Sequence, residues 1–215
     1  MYEQRQYDDL WEQLDRWGTF ILANLLWVVL ALPLITLPAA TAGLFAVMSR
    51  RVRGQQPELF RVFFGAMRQY GWKSLALALA DVLLFGLIAL NLRLFPLMNI
   101  TDPLAWMSGS VTLAAGLVLL LANLYVWPLL ILFDLPLRPL ATMALKLVFA
   151  HPLESLGVLA ATLAPVLISV LLPRAVFLFV TVALCAYIIC WGTWRIMRPH
   201  LSEDELQTLE IQQRL

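Results

Sequence analysis

The chain has 215 residues, of which 61% are hydrophobic and only 13% are charged, and its mean hydropathy is +0.81. A soluble domain carries about 25% charged residues, so this deficit excludes a surface that meets water on all sides. The net charge of +1 gives no general attraction to nucleic acid. The composition is that of a chain dissolved in a lipid bilayer.

Residues 1–18 read as an amphipathic segment. Tyr7, Leu10, Trp11, Leu14 and Trp17 recur at three- and four-residue spacing, with Asp8, Asp9, Glu12 and Asp15 on the other face. Tryptophans on the apolar side suit a membrane interface. The segment is polar and acidic, without a basic start followed by an apolar core, so no cleavable signal peptide is expected.

Residues 19–199 form a single transmembrane helical domain in this reading. The stretches 19–37, 74–92, 104–133 and 175–194 run almost free of charge, and 156–172 is barely shorter. Nineteen residues of helix, as in 19–37, cover roughly 28 Å, close to a hydrocarbon core of about 30 Å. The first stretch contains Pro33 and ends near Pro38, and Pro128 is expected to interrupt the third. Between the first stretch and the arginines 50, 51 and 53 lies 39–48, apolar and rich in small residues. It is about 16 Å of helix, half a bilayer. It either returns toward the starting face as the short arm of a hairpin or never crosses.

The positive-inside rule favours the return. With six segments, Arg5, Arg16, Arg50, Arg51, Arg53, Arg61, Arg68, Lys73, Arg138, Lys146, Arg195, Arg198 and Arg214 share one side, thirteen against Arg93 and Arg174 opposite. With five segments the division is eleven against four. The expected fold class is therefore all-α: a polytopic helical membrane protein of five to six segments, six preferred, with both termini in the cytoplasm of a cell whose plasma membrane it crosses several times.

Residues 57–71 read as an amphipathic helix lying on the cytoplasmic face. Phe60, Phe63, Phe64, Met67 and Tyr70 make an apolar stripe, Arg61 and Arg68 mark the other side, and Trp72 and Lys73 anchor it. Phe60, Arg61, Phe63, Phe64, Met67 and Arg68 form a candidate docking surface, for a cytoplasmic partner or for anionic lipid headgroups. A third amphipathic piece, 140–150, carries Lys146 and is broken at His151-Pro152. The last two spans meet through Pro173 and Arg174, and 200–215 is a polar cytoplasmic tail expected to be helical from Ser202.

Three polar side chains stand inside apolar stretches: Asn24, Asp81 and Asn123. Amides in hydrocarbon seek partners and join helices. Asp81 admits two readings. It is either a hydrogen-bonding joint to Asn24, Asn123 or a neighbouring Ser or Thr, or a carboxylate on a proton or cation path. The sequence around Asn24 echoes that around Asn123: Ala-Asn-Leu, a proline, Leu-Pro, then Ala-Thr.

No catalytic constellation is evident. His151 and His200 are the only histidines, and neither has zinc-ligand spacing to another donor. There is no GxxxxGK[ST] phosphate loop. Cys185 and Cys190 lie about 140° apart around one helix and cannot pair with each other. No metal, cofactor or catalytic residue is expected, and the chain reads as a non-enzyme.

Asn24-Leu25-Leu26-Trp27, the run Pro38-Ala39-Ala40-Thr41-Ala42-Gly43-Leu44-Phe45-Ala46-Val47, then Phe60-Arg61-Val62-Phe63-Phe64 and Trp72-Lys73-Ser74 resemble the YesL-like family, domain-of-unknown-function family 624, of small bacterial integral membrane proteins. Tyr125-Val126-Trp127-Pro128-Leu129 fits its weaker C-terminal pattern. The resemblance implies an accessory or assembly role beside a carbohydrate uptake system of the ABC type, with a permease or another membrane subunit as partner. It implies no catalytic residue and no cofactor. An autonomous small transporter or channel using Asp81 is the alternative.

The sidedness is testable. Gln55→Cys and Gln212→Cys variants are expected to stay unlabelled by an impermeant thiol reagent in intact cells. Labelling at either position overturns the proposed arrangement.

Overall fold

The computed structural model describes residues 2–95, 103–171 and 180–203, with side chains described for 17–95, 103–170 and 180–203. Among these residues there are seven α-helices and no strand: α1 (Tyr2–Ala31), α2 (Leu37–Val52), α3 (Leu59–Leu94), α4 (Pro103–Phe133), α5 (Leu137–Ala150), α6 (Pro152–Leu171) and α7 (Val182–Met197). The physical reason is the solvent. Hydrocarbon offers no partner for a peptide group, and a helix satisfies its own.

Three helices, α3, α4 and α6, are long and apolar enough to cross a membrane, and a shorter apolar helix covers Trp17–Ala31. At about 1.5 Å per residue the 36 residues of α3 extend roughly 54 Å, longer than the hydrocarbon core. Their outer faces are apolar: Leu79, Val82, Leu83 and Leu87 of α3, Val111 and Leu113 of α4, and Leu167, Ile168 and Val170 of α6 are all exposed. Rows of exposed leucine and valine on long helices are what a lipid solvent requires. The chain is a helical membrane protein.

Helix α1 stops at Ala31, earlier than the apolar run suggests, because Pro33 follows. Residues 32–36 turn, with Leu32, Leu34 and Ile35 exposed, and Thr36 donates to the carbonyl of Pro33 at 2.8 Å through its hydroxyl. Pro38 then sits in the first turn of α2, where its missing N–H costs nothing. Helix α2 runs back along α1: Trp27 Nε1 donates to Thr41 Oγ1 at 3.1 Å, and the Arg51 guanidinium donates to the Thr19 hydroxyl. Partners early in α1 match positions late in α2, so the pair is antiparallel and the arginines after residue 49 return to the level of Thr19.

Helix α2 is the centre of the bundle. Pro38, Ala40, Ala42, Gly43, Leu44, Phe45, Ala46, Val47, Met48 and Ser49 are all buried, with α1, α3, α4 and α7 packed around it. Its end closes in a Schellman motif. Gln55 N–H donates to Arg50 O at 3.1 Å, Gly54 N–H donates to Arg51 O at 3.0 Å, and Gly54 takes φ +76°. That reversal sends the chain into α3, which packs antiparallel on α2. A Cβ at Gly43 would lie 2.8 Å from the Phe63 ring and 2.9 Å from the Phe63 carbonyl oxygen.

Two expectations are corrected here. The amphipathic piece 57–71 is not a separate surface helix; it is the first half of α3, continuous with the apolar half. Helicity runs unbroken because no proline or glycine pair separates Trp72 from Ser74. Pro128 does not interrupt α4, which continues through it to Phe133 with Pro128 fully buried. Packing of neighbouring helices holds such a proline in place. His151-Pro152 does end α5, and Pro152 opens α6. Residues 1–18 are helical from Tyr2 onward as part of α1. The Pro173–Arg174 connection and all but the first residues of the 200–215 tail lie outside the described residues.

The α2–α3 contact makes a paired expectation. Gly43→Ala should lower stability by about 1–3 kcal/mol through overpacking against the Phe63 backbone. Gly65→Ala, where a Cβ meets nothing within 4 Å, should be neutral or stabilising by up to about 1 kcal/mol. Thermal unfolding in detergent compares them; equal effects would refute the close-approach account.

Candidate functional site

The Gly54 reversal places the end of α2 beside the start of α3, and the end of α4 closes the third wall. Between them lies a cleft of about 650 Å³, lined by Arg50, Arg53, Glu58, Arg61, Gln69, Tyr70 and Asp134 over a floor that includes Ala46, Val62, Ala66 and Leu132.

Each charged group in it has a distinct setting. Arg53 is braced: Nε donates to Ser49 O at 3.0 Å, and its guanidinium lies over the Trp194 ring at 5.8 Å. Arg50 is half-buried and Arg61 exposed, and among the described residues neither has a carboxylate partner. Burial lowers the pKa of Arg50 from its ordinary value, with Tyr70 opposing and the like charge of Arg61 adding to the effect. The guanidinium stays charged at any physiological pH. Asp134 sits at the end of α4 in the left-handed region, φ +47°, a conformation Asp tolerates. Its carboxylate accepts from Lys73 Nζ at 2.5 Å and from Gln69 Nε2 at 3.4 Å. Lys73 also donates to the Asp134 carbonyl at 3.1 Å, putting a cation on the negative end of α4. Asp134 is thus answered by Lys73, which leaves Arg50 and Arg61 without a carboxylate partner among the described residues.

The sequence-derived candidates fall in three different places. Of the docking set, Phe60, Phe64, Arg61 and Arg68 are exposed on the first half of α3, and Met67 is half-buried. Phe63 is fully buried against Gly43, so it belongs to the bundle core and is removed from the surface stripe. Asp81 lies eight residues beyond Lys73 on α3, about 12 Å away along the axis. It faces the Asn123 side chain of α4, whose Oδ1 accepts from Trp127 Nε1 at 3.3 Å. Asn24 is fully buried on α1 and accepts the backbone N–H of Ala183 at 2.8 Å, in the first turn of α7. Asn24 and Asp81 therefore serve different helix pairs, and neither reaches the cleft.

The cleft itself was hidden from the sequence. Its arginines were visible as a basic loop, but Glu58, Gln69, Tyr70 and Asp134 join them only through helix packing. Asp134-Leu135-Pro136, a break directly after an apolar run, was the one local sign of a helix end on that side. The two histidines also converge unexpectedly, with ring centroids 5.8 Å apart, and His151 lies 3.6 Å from Glu154. Among the described residues no group of three or more His, Cys, Asp or Glu is placed to hold a metal.

Residues 20–92, spanning α1 from its apolar part through α2 and most of α3, match the family described as protein of unknown function, DUF624. The match covers the stretch in which Asn24, Trp27, Thr41, Gly43 and Phe63 make the joints described above. No curated protein and no solved structure matches the chain.

The Asp81–Asn123 joint separates two substitutions. Asp81→Asn keeps a polar group facing Asn123 and should be tolerated, whereas Asp81→Leu should lower stability by roughly 1 kcal/mol. Thermal unfolding in detergent reads both. Equal stability of the two variants would remove the joint as an explanation.

Proposed function

We propose that this DUF624-bearing membrane protein is a non-enzymatic accessory or assembly subunit of a membrane transport system. The family resemblance points to carbohydrate uptake of the ABC type as that system. The same reading assigns six membrane segments, both termini in the cytoplasm and the plasma membrane as the site. The antiparallel return of α2 along α1 supports the six-segment count, because it brings Arg50, Arg51 and Arg53 back to the level of Thr19.

One observation carries the accessory reading. The first half of α3 presents Phe60 at 61% and Phe64 at 46% exposure, beside the exposed Arg61 and Arg68. This half is not needed to cross the bilayer, since 74–92 already suffices. Its buried side, Val62, Phe63, Ala66 and Tyr70, holds it rigidly on α2. A rigid helix offering two aromatics flanked by arginines has the make-up of an interface core, where aromatic residues and arginine are enriched. The pairing of Asp81 with Asn123 supports the structural role of that aspartate over a transport path.

The partner is read by co-purification. Phe60→Ser with Phe64→Ser should leave the protein inserted and folded but remove a permease and its ATPase from the material captured with it from native membranes. Phe63→Ser should instead damage folding, by about 3 kcal/mol or more for a buried aromatic. Unchanged capture by the Phe60/Phe64 variant, or no such subunits captured by the wild type, overturns the reading.

A further inference from the structure

We propose that the arginine-lined cleft between the end of α2, the start of α3 and the end of α4 binds a phosphate-bearing anion. That anion is presented either by an anionic phospholipid headgroup or by a soluble phosphorylated solute. The inference rests on the cleft alone and is independent of the accessory reading.

The volume, about 650 Å³, lies within the range of small-ligand sites, roughly 300–1,000 Å³. Its charge is one-sided. Arg50 and Arg61, which have no carboxylate partner among the described residues, share the cleft with Glu58, while the Asp134 carboxylate is held by Lys73. Two positive charges against one leave an excess of one, which favours an anion and repels a cation. Arg50 and Arg61 come from different helices, so the cleft is an assembled cage and not a run of neighbours on one surface. The like charges of these two are close enough to disfavour each other. The fold keeps them together all the same, and an anion between them would relieve that repulsion.

The donor chemistry fits phosphate better than a simple halide. A guanidinium offers a planar fork that binds two oxygens at once, and phosphate supplies three or four. The buried Tyr70 phenol adds a polar group on the wall, above a floor that includes Ala46, Val62, Ala66 and Leu132. The site also lies where α4 ends and Lys73 anchors α3, the level at which an apolar run gives way to polar residues. A headgroup can reach such a level from the bilayer, and a solute can reach it from water.

The test uses the full chain, purified and reconstituted in phosphatidylcholine nanodiscs. Thermal midpoints are measured against inorganic phosphate, with chloride at matched ionic strength as reference. They are measured again in nanodiscs of equal parts phosphatidylcholine and phosphatidylglycerol. At least one addition should stabilise the wild type saturably. Phosphate alone identifies a soluble ligand, phosphatidylglycerol alone a lipid headgroup, and both together the shared phosphate chemistry. Arg61→Gln, at an exposed position that folding does not require, should weaken the apparent affinity about tenfold or more. Adding Arg50→Gln should abolish the effect. Glu58→Gln should tighten binding, because it removes the opposing charge. Arg138→Gln, exposed on α5 outside the cleft, should change nothing. The proposal is overturned if neither addition stabilises the protein, if Arg138→Gln loses as much as Arg61→Gln, or if Glu58→Gln weakens binding.

Discussion

The close approach of α2 to α3 at Gly43 governs the rest of this structure. In lipid there is no hydrophobic drive to push helices together, since the solvent is as apolar as their side chains. Association depends on how near two backbones can come. The run from Pro38 to Ala46 supplies mostly small residues, and at Gly43 the ring and carbonyl of Phe63 occupy the space a Cβ would fill. With α3 seated there, α2 becomes a buried central helix, and α1, α4 and α7 pack on its remaining sides. Gly192 on α7 repeats the device, its missing Cβ occupied by the Val158 side chain of α6.

Polar joints then fix the register that close packing alone leaves free to slide. Trp27 reaches Thr41 between α1 and α2, and Asn24 reaches the first turn of α7. Tyr125 and Ser155 share a buried hydrogen bond of 2.7 Å between α4 and α6, while Thr112 donates to Asn91 at 3.1 Å farther along the α3–α4 hairpin. Each is worth only about 0.6–2 kcal/mol in a membrane. Their value is directional, because a hydrogen bond is satisfied at one register and lost a residue away.

The same architecture separates two surfaces. Along α3, α4 and α6 the outer residues are leucine, valine and isoleucine, suited to lipid. At the end of α2 the polarity changes within one helical turn, from the buried Val47 and Met48 to Arg50 and Arg53. The Gly54 reversal and the Lys73–Asp134 contact hold that change in place from two directions. A rigid, positively charged concavity at a lipid boundary is the result, and the aromatic first half of α3 forms its rim.

Much of this could be read from the amino acids in order. Composition dictated the lipid solvent, and the lipid solvent dictated helices, because unsatisfied peptide groups are intolerable there. Pro38 and His151-Pro152 marked real helix boundaries, since a proline without neighbours to compensate breaks the ladder, whereas the end of α1 before Pro33 came earlier than the apolar run suggested. Asn24, Asp81 and Asn123 were recognisable as groups in need of partners. Local pattern could not say which partner each would find. It could not show that Pro128 would be carried through α4 by packing, or that Phe63 would turn inward while Phe60 and Phe64 remained outside. A helical stripe reveals that a face is apolar and is silent on what covers it. The cleft depended most on tertiary structure. Arg50 and Asp134 belong to different helices far apart in the chain, and only the antiparallel seating of α3 on α2, permitted by a single missing side chain at Gly43, brings their surroundings into one site.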